Sequence, residues 1–220
     1  MRPADDSRRR GLLRLRHLRE QTEAKAEDME AQAGRFARLA DPAAAPRVVS
    51  AFNLFQTPEP LAARLAGMFP AFGRVLEPSA GLGRLYRAVR ALDAACPVVL
   101  VDTSAQCFRE LYHATEGDPN AELHAADFLS LTPERLGLFD SIVMNPPFKN
   151  GTDVKHVTHA RRFLAPGGRL VSLVAAGPRQ QAALMAAADS WEDLPAGSFK
   201  AEGTNVAAAV VTFTHRPEPT

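Results

Sequence analysis

From residue 57 onward, short apolar segments alternate with segments whose apolar residues recur every three or four positions. The short segments predict strands, and the spaced ones predict helices with one buried face. The predicted strands are Arg74–Glu77, Val98–Asp102, Glu122–Ala125, Phe139–Met144, Arg169–Val174 and Val206–Phe213. The predicted helices are Gly83–Leu92, Ala105–Thr115, Val154–Leu164 and Arg179–Ala187, after an earlier one that opens at residue 57. This alternation predicts an α/β fold, with a mostly parallel sheet covered by helices on both faces.

Two local signals mark where helices begin and end. In the first helix, Thr57 is suited to cap the amino end and Pro58 to the first turn, with Leu61, Leu65 and Met68 on the buried face. Pro166-Gly167-Gly168 is predicted to end the helix Val154–Leu164 before the next strand.

The chain divides by composition into residues 1–46 and residues 47–220. The first part is polar and begins with seven arginines among its first twenty residues, and it ends in a linker rich in alanine and proline. It is predicted to be a helical or partly disordered arm. Phosphate binding, a helical dimer contact and a disordered tail are all open for it, with phosphate binding slightly favoured.

The composition excludes several classes of protein. Hydrophobic residues make up 46% of the 220 residues, which is enough for a sizeable core, and a net charge of +1 creates no global attraction for nucleic acid. Two cysteines make no disulfide framework, and no stretch approaches the length of a membrane span. The arginine-rich start lacks the features of a secretory signal, so we expect a cytoplasmic protein without membrane contact.

Asn145-Pro146-Pro147-Phe148 directly follows the predicted strand Phe139–Met144. The prolines fix their φ angles and donate no N–H, and each pushes the preceding residue toward extended backbone. The segment is therefore stiff. The Asn145 side-chain oxygen and the Pro146 carbonyl can accept hydrogen bonds from a planar amine, while Phe148 offers a flat surface to a ring. A rigid turn is the simpler interpretation, but the asparagine and the aromatic residue favour a catalytic site.

The other predicted strand ends carry glycines and acids. After the first strand, Gly81 and Gly83 let backbone approach a ligand, and Glu77 suits an amino group or a ribose hydroxyl. Asp102 ends the second strand and is predicted either to accept ribose hydroxyls or to cap the next helix. After the third strand, Asp127 and Phe128 are predicted either to hold an adenine or to serve as a turn residue and a core residue.

Together these motifs resemble the class I S-adenosylmethionine-dependent methyltransferases, and among them the DNA adenine-N6 enzymes of the gamma motif order. Phe55-Gln56-Thr57-Pro58 matches the methionine-binding motif, Glu77 to Gly83 the glycine loop, and Asn145 to Phe148 the catalytic motif. The resemblance implies a Rossmann-like sheet with an antiparallel last strand. It also implies a set of S-adenosylmethionine contacts: Phe55, Thr57, Glu77, Ser79, Ala80, Gly81, Gly83, Asp102, Asp127, Phe128 and Asn145.

The same resemblance implies methyl transfer to the N6 amine of adenine in duplex DNA, with the target base flipped out. Catalysis falls to Asn145, Pro146, Pro147 and Phe148, and substrate binding to Phe148, Lys149 and Phe199. Methylation of an RNA base amine or a protein glutamine is the alternative, and a catalytically idle nucleic-acid-binding subunit is a second one. The residues that follow Phe148 in this sequence are expected to complete the fold, so we expect no separate target-recognition domain among them.

The charged residues that follow the catalytic motif receive weaker predictions. His156 and His159 lie three apart on a predicted helix and are expected to be solvated, with no metal site. For Lys149, Lys155, Arg161 and Arg162, contact with phosphate and an ordinary charged helix face are equally open.

Overall fold

The computed structural model describes residues 56–216, apart from the side chain of Ala201. The chain divides into two units, Met1–Val49 and Ser50–Thr220, and every described residue belongs to the second. The predicted arginine-rich arm, its boundary after residue 46 and the predicted cofactor residue Phe55 lie outside the described residues and stay predictions.

The described residues form seven strands and six α-helices, joined in places by single 3₁₀ turns. The strands are β1 (Val75–Glu77), β2 (Val98–Asp102), β3 (Ala121–Ala125), β4 (Phe139–Met144), β5 (Leu164–Ala175), β6 (Ser190–Asp193) and β7 (Ala208–Thr214). The helices are α1 (Glu59–Ala66), α2 (Arg84–Leu92), α3 (Ala105–Ala114), α4 (Pro133–Leu136), α5 (Thr152–Ala160) and α6 (Pro178–Leu184). The 3₁₀ turns are Phe128–Ser130, Lys149–Gly151, Arg161–Phe163, Met185–Ala187 and Lys200–Glu202.

The strands lie in one sheet in the order β3-β2-β1-β4-β5-β7-β6. Strands β1 to β5 pair in parallel, whereas β7 runs antiparallel to both β5 and β6. The carboxyl ends of β1 to β4 therefore meet at one edge of the sheet, which we call the carboxyl edge. The predicted mostly parallel sheet with an antiparallel last strand is confirmed.

Neighbouring residues on a strand point into different cores. Val75 on β1 and Val143 on β4 belong to the first apolar cluster, while Leu76, Ile142 and Met144 belong to the second. This division follows from the alternation of side chains along a strand. Helices cover both faces, as parallel sheets require, and the strands accordingly read as nearly continuous apolar runs.

Pro166-Gly167-Gly168 lies inside β5 and does not end a helix, contrary to prediction. Helix α5 ends earlier, at Ala160, and a 3₁₀ turn leads directly into the strand. The pairing with β4 then shifts from Phe139↔Leu164 to Ser141↔Arg169, so the proline and glycines form an irregular stretch. A Cβ on Gly168 would lie 2.8 Å from the Phe139 carbonyl oxygen, which explains the glycine there.

Strand β6 and helix α4 are elements that the pattern did not predict. Strand β6 has the sequence Ser-Trp-Glu-Asp, is mostly exposed, and forms one edge of the sheet. It presents no apolar run, so hydrophobic alternation could not reveal it. Helix α4 has four residues, which is about one helical turn and too short for any periodicity.

Candidate active site

The predicted motifs converge at the carboxyl edge. Glu77 ends β1, Asp102 ends β2, and Asn145 follows the last residue of β4. Because β1 lies between β2 and β4 in the sheet, the loops after these strands are neighbours in space. A crevice beyond the carboxyl ends of parallel strands is where open α/β sheets bind ligands.

Asn145 is joined to Thr57, which lies just before α1. The Asn145 Nδ2 donates a hydrogen bond to the Thr57 Oγ1 over 3.1 Å, and Thr57 is 3% exposed. The prediction that Thr57 caps α1 is wrong, because Pro58 occupies the N-cap position and no side chain caps that end. The hydroxyl instead holds the nitrogen end of the asparagine amide.

The buried face of α1 also differs from the prediction. Leu65 is buried together with Ala62 and Ala66, while Leu61 and Met68 are half-buried and pack against the core. Helix α1 contacts α2, and Thr57, two residues before α1, lies within hydrogen-bond reach of Asn145.

Burial varies from residue to residue along the catalytic motif, which begins with the half-buried Asn145. Pro146 is buried, Pro147 is exposed, and Phe148 is half-buried against the first apolar cluster. The exposed Lys149 begins a 3₁₀ turn in which Asn150 takes a left-handed conformation with φ 58°. The motif is therefore most buried at Pro146 and most exposed at Pro147.

The glycine loop after β1 is fastened to the end of β2. The Gly81 N–H donates to Asp102 Oδ2 over 2.8 Å, and the Ala80 N–H donates to the Val101 carbonyl over 3.0 Å. Gly81 has φ +54°, a conformation that an L side chain rarely adopts. The Gln56 Nε2 lies 3.8 Å from where a Gly81 Cβ would sit, so the segment before α1 borders the same loop.

The Asp102 carboxylate accepts hydrogen bonds from the backbone of two segments, the glycine loop and the start of α3. Its Oδ1 accepts from the Ser104 N–H over 2.8 Å, while its Oδ2 accepts from Gly81. Burial raises the pKa of the Asp102 carboxyl, and these backbone hydrogen bonds oppose the rise. The alternative prediction of a helix cap fails for Asp102, because Ser104 is the N-cap of α3 and accepts from the Cys107 N–H.

Glu77 is buried beneath the glycine loop, with 1% of its surface exposed. Burial raises the pKa of its carboxyl well above the ordinary value, and a hydrogen bond with the Tyr86 backbone at the start of α2 partly offsets this. Within the described residues its Oε2 has no hydrogen-bond partner. The three acids predicted at the strand ends therefore differ in burial: Glu77 is buried, Asp102 is half-buried and Asp127 is exposed.

Phe128 belongs to the core, as the simpler of its two predictions stated. It is 2% exposed, and its ring lies 4.9 Å from His159 and 5.2 Å from Phe163 between centroids. Its face is thus covered by side chains and is not open to an adenine. Asp127 is a turn residue that caps the 3₁₀ turn by accepting from the Leu129 N–H over 2.9 Å, and it remains on the surface.

Phe199 is 0% exposed and packs in the first apolar cluster with Val210. The prediction that it packs on an extruded base therefore conflicts with its position in this structure. The resemblance assigned this role because the stretch 194–200, which precedes the last strand, is similar to the family segment whose aromatic residue packs on the target base. Its ring instead fills the space beneath that loop.

His156 is a site residue that the sequence did not reveal. It is 8% exposed, and its Nδ1 lies 3.2 Å from the Ser79 Oγ in the glycine loop. Burial lowers the pKa of its imidazole. The prediction of solvated histidines is wrong for His156 and also for His159, whose Nε2 lies 2.9 Å from the Leu131 carbonyl oxygen. Residues 56–216 contain no cluster of three potential metal ligands.

Asp153 anchors the helix that follows the catalytic motif. It is buried, and its Oδ2 accepts from the Ala175 N–H over 3.0 Å and from the Gln180 Nε2 over 2.9 Å. The carboxylate thereby ties α5 to the end of β5 and to α6. No periodic signal distinguishes such a residue, because its partners lie 22 and 27 positions away.

Comparison with solved structures identifies the same fold in methyltransferases. TrmN from Thermus thermophilus aligns with a TM-score of 0.59 and 20% identity, over 83% of this chain and 52% of that one. This chain therefore spans about half the length of that protein. An N-methyltransferase, NodS from Bradyrhizobium japonicum, was solved with S-adenosyl-L-homocysteine. It aligns with a TM-score of 0.56 and 17% identity, over 84% of this chain and 98% of that one.

An RNA methyltransferase from Salinibacter ruber, also bound to S-adenosyl-L-homocysteine, aligns with a TM-score of 0.53 and 17% identity, over 75% of this chain and 96% of that one. These alignments confirm the predicted Rossmann-like class I fold. Among the described residues, no helix has the length and apolar character to cross a bilayer. A search of curated proteins finds no match. The sequence pattern of the methyltransferase small domain matches residues 45–192, and the chain belongs to that family.

Proposed function

We propose that the protein binds S-adenosylmethionine at the carboxyl edge and transfers its methyl group to an exocyclic amine of a nucleobase. The first candidate acceptor is the N6 amine of adenine in DNA, as the order of motifs implies. The observation that carries the proposal is the Asn145 amide, held by Thr57 at the end of β4 and followed by two prolines.

The residues present fit such a cofactor. Glu77 has a buried oxygen that lacks a hydrogen-bond partner within the described residues, which suits an amino group or a hydroxyl. Asp102 and the loop from Ser79 to Gly83 lie beside it, and Gly81 keeps backbone accessible where a side chain would project. Asp127 supplies an exposed carboxylate at the next strand end. The cofactor contributes an electrophilic methyl group on a sulfonium.

Asn145 and Pro146 prepare the acceptor. The hydrogen bond to Thr57 fixes the Asn145 amide, and an amide oxygen has two lone pairs and can accept more than one hydrogen bond. Accepting both amine hydrogens, at Asn145 and at the Pro146 carbonyl, draws the nitrogen toward tetrahedral geometry and localises its lone pair. The contribution is one of positioning and electrostatics. No strong base is required, because the amine proton becomes acidic when the new bond forms.

Two exposed cations flank the catalytic motif and support a nucleic-acid acceptor. Lys149 directly follows Phe148, and the Arg179 side chain packs on Gly151, since a Cβ there would lie 2.9 Å from the Arg179 Cδ. Arg179 forms no ion pair within residues 56–216. Such groups suit phosphates next to a bound base. Phe148, half-buried, is the remaining aromatic residue predicted to contact the ring.

RNA is the second candidate acceptor. It is favoured by the Salinibacter ruber structure, which is described as an RNA methyltransferase, and by the burial of Phe199. With Phe199 buried, the predicted contact between this residue and a flipped DNA base loses its support.

The test is methyl transfer from labelled S-adenosylmethionine to duplex DNA, RNA and cell protein, each offered separately, with digestion to identify the modified residue. N6-methyladenine in DNA supports the first candidate, and label in RNA bases supports the second. Label confined to protein contradicts both.

A paired variant tests the mechanism. We expect Asn145→Ala to lower the rate about 100- to 1,000-fold, in the range for removal of one preorganised polar group. We expect it to leave cofactor affinity within a few fold. Asn205→Ala, at an exposed loop position, is the matched control and should retain full activity. An Asn145→Ala protein that methylates at the parental rate would refute the proposal.

A further inference from the structure

A second cavity lies at the edge of the sheet opposite the candidate active site. Its volume is about 480 Å³, and we call it the basic cleft. The basic cleft is lined by the end of α5 and the turn after it, the start of β5, the segment before β6, and the end of β7. Because β7 runs antiparallel to β5, its last residues lie beside the amino end of β5. Strand β4 has six residues and is about 20 Å long, so the carboxyl edge and the opposite edge of the sheet lie about 20 Å apart.

Positive charge predominates in the basic cleft. Arg161, Arg162 and Arg216 line it, with Asp189 as the one acidic residue among the described lining residues, and the exposed Glu134 carboxyl outside the lining interacts electrostatically with Arg162. The Arg216 Nη2 donates to Asp189 Oδ1 over 2.7 Å. Within residues 56–216, neither Arg161 nor Arg162 forms an ion pair.

The surrounding contacts hold these groups in place. The Arg161 guanidinium lies over the Phe213 ring, 4.6 Å from its centroid, which limits its rotation. The His215 Nδ1 lies 3.0 Å from the Leu164 carbonyl oxygen, so this nitrogen carries the proton and donates to the backbone. Thr158 and Thr214 add two hydroxyl-bearing side chains to the lining.

We propose that the basic cleft binds the phosphate groups of a nucleotide or a nucleic-acid chain. Planar guanidinium groups accompanied by hydroxyl and imidazole groups match the oxygens of a phosphate better than they match a single carboxylate. A volume of this size is in the range of small-ligand sites. A ligand bound here does not compete with one at the carboxyl edge, because the sheet separates the two sites.

The distance between the basic cleft and the candidate active site favours a nucleic-acid chain as the source of the bound phosphates. A strand of duplex advances about 3.4 Å per nucleotide, so about six nucleotides span the 20 Å between the edges. This preference rests on the proposed function, whereas phosphate binding itself does not. The binding experiment needs no methyl transfer, so it can fail while the methyltransferase assay succeeds, and the reverse.

The experiment compares Arg162→Ala and the double variant Arg161→Ala/Arg162→Ala with the parent protein. Arg109→Ala, at an exposed position on α3, is the matched control. The probes are a fluorescein-labelled single-stranded RNA, followed by anisotropy at 50–200 mM salt (about a fourfold range), and ADP, followed by calorimetry. For a single strand, removing one arginine–phosphate interaction should lower the steepness of log K against log salt concentration by about 0.7. Removing two should weaken binding about 25-fold at 0.1 M salt.

Loss of RNA affinity in the double variant, with Arg109→Ala unchanged, supports the proposal and identifies nucleic acid as the source. Loss confined to ADP binding also supports it and identifies a free nucleotide. Affinities for both probes that match those of Arg109→Ala would overturn it. Because Arg161 contacts Phe213, the double variant can lose stability. In that case Arg162→Ala alone tests phosphate binding, through a slope of log K against log salt that is less steep by about 0.7.

Discussion

Replacing Thr57 with valine tests whether its hydroxyl orients the catalytic amide. Valine has nearly the same shape and removes the acceptor that lies 3.1 Å from the Asn145 Nδ2. A protein hydrogen bond contributes about 0.5–1.5 kcal/mol net, and an unsatisfied buried donor costs about 1–3 kcal/mol. Asn145 is half-buried, so we take about 1–2 kcal/mol. Since each 1.36 kcal/mol is tenfold in rate, methyl transfer should slow about 5- to 30-fold.

The assay is single-turnover methyl transfer at saturating cofactor, with cofactor affinity measured separately by calorimetry. Thr57→Ser is the control, because it keeps the hydroxyl and should retain most of the rate. In a double-mutant cycle, adding Thr57→Val to Asn145→Ala should cost little more, since both changes remove the same oriented amide. A Thr57→Val protein with the parental rate, or fully additive losses, would refute the reasoning.

Two further predictions concern buried ionisable groups. Burial raises the pKa of the Glu77 carboxyl, so its contribution to stability is full at acidic pH and is lost as pH rises through the folded-state pKa. We therefore expect Glu77→Gln to raise the melting temperature of the ligand-free protein at pH 8 by more than at pH 5, while weakening cofactor binding. An equal effect at both pH values would contradict this. Burial lowers the pKa of His156, which faces Ser79, Asp127, Asp153 and His159, so the neutral ring should persist below its ordinary pKa near 6.5. In the parent protein, protonation of His156 at acidic pH should raise KM for the cofactor. His156→Gln should raise KM with little change in kcat and should remove this pH dependence, whereas an unchanged KM would exclude the positioning role.

The fold and the location of the site were predictable because both depend on local patterns. Strands β2 and β4 have the predicted bounds, since β2 begins with four consecutive apolar residues and β4 ends with three, in a sheet covered on both faces. Once the strands are parallel, the residues at their carboxyl ends must meet at one edge. Glu77, Asp102 and Asn145 could therefore be placed together from the sequence alone.

The orientation of individual side chains was not predictable in the same way. Phe128 and Phe199 follow strands or turns, where an aromatic ring can face a ligand or fill the core with equal local preference. His156 is buried because Phe128 and the glycine loop cover it, and these lie 28 and 77 positions away in the chain. Pairings of this kind depend on tertiary packing, which overrides local preference.

The burial gradient among the three acids explains how one edge of a sheet can serve both stability and binding. Asp102 has exchanged water for backbone N–H donors, which offset part of the cost of burying its charge, and it fixes the glycine loop. Glu77 retains one oxygen without a partner within the described residues, and an ionised carboxylate in that position destabilises the ligand-free protein. A donor that fills the position removes this penalty and lowers the carboxyl pKa, so binding releases a proton. The proposed cofactor site is thus completed by its ligand, and Glu77 gains its full complement of partners when that ligand binds.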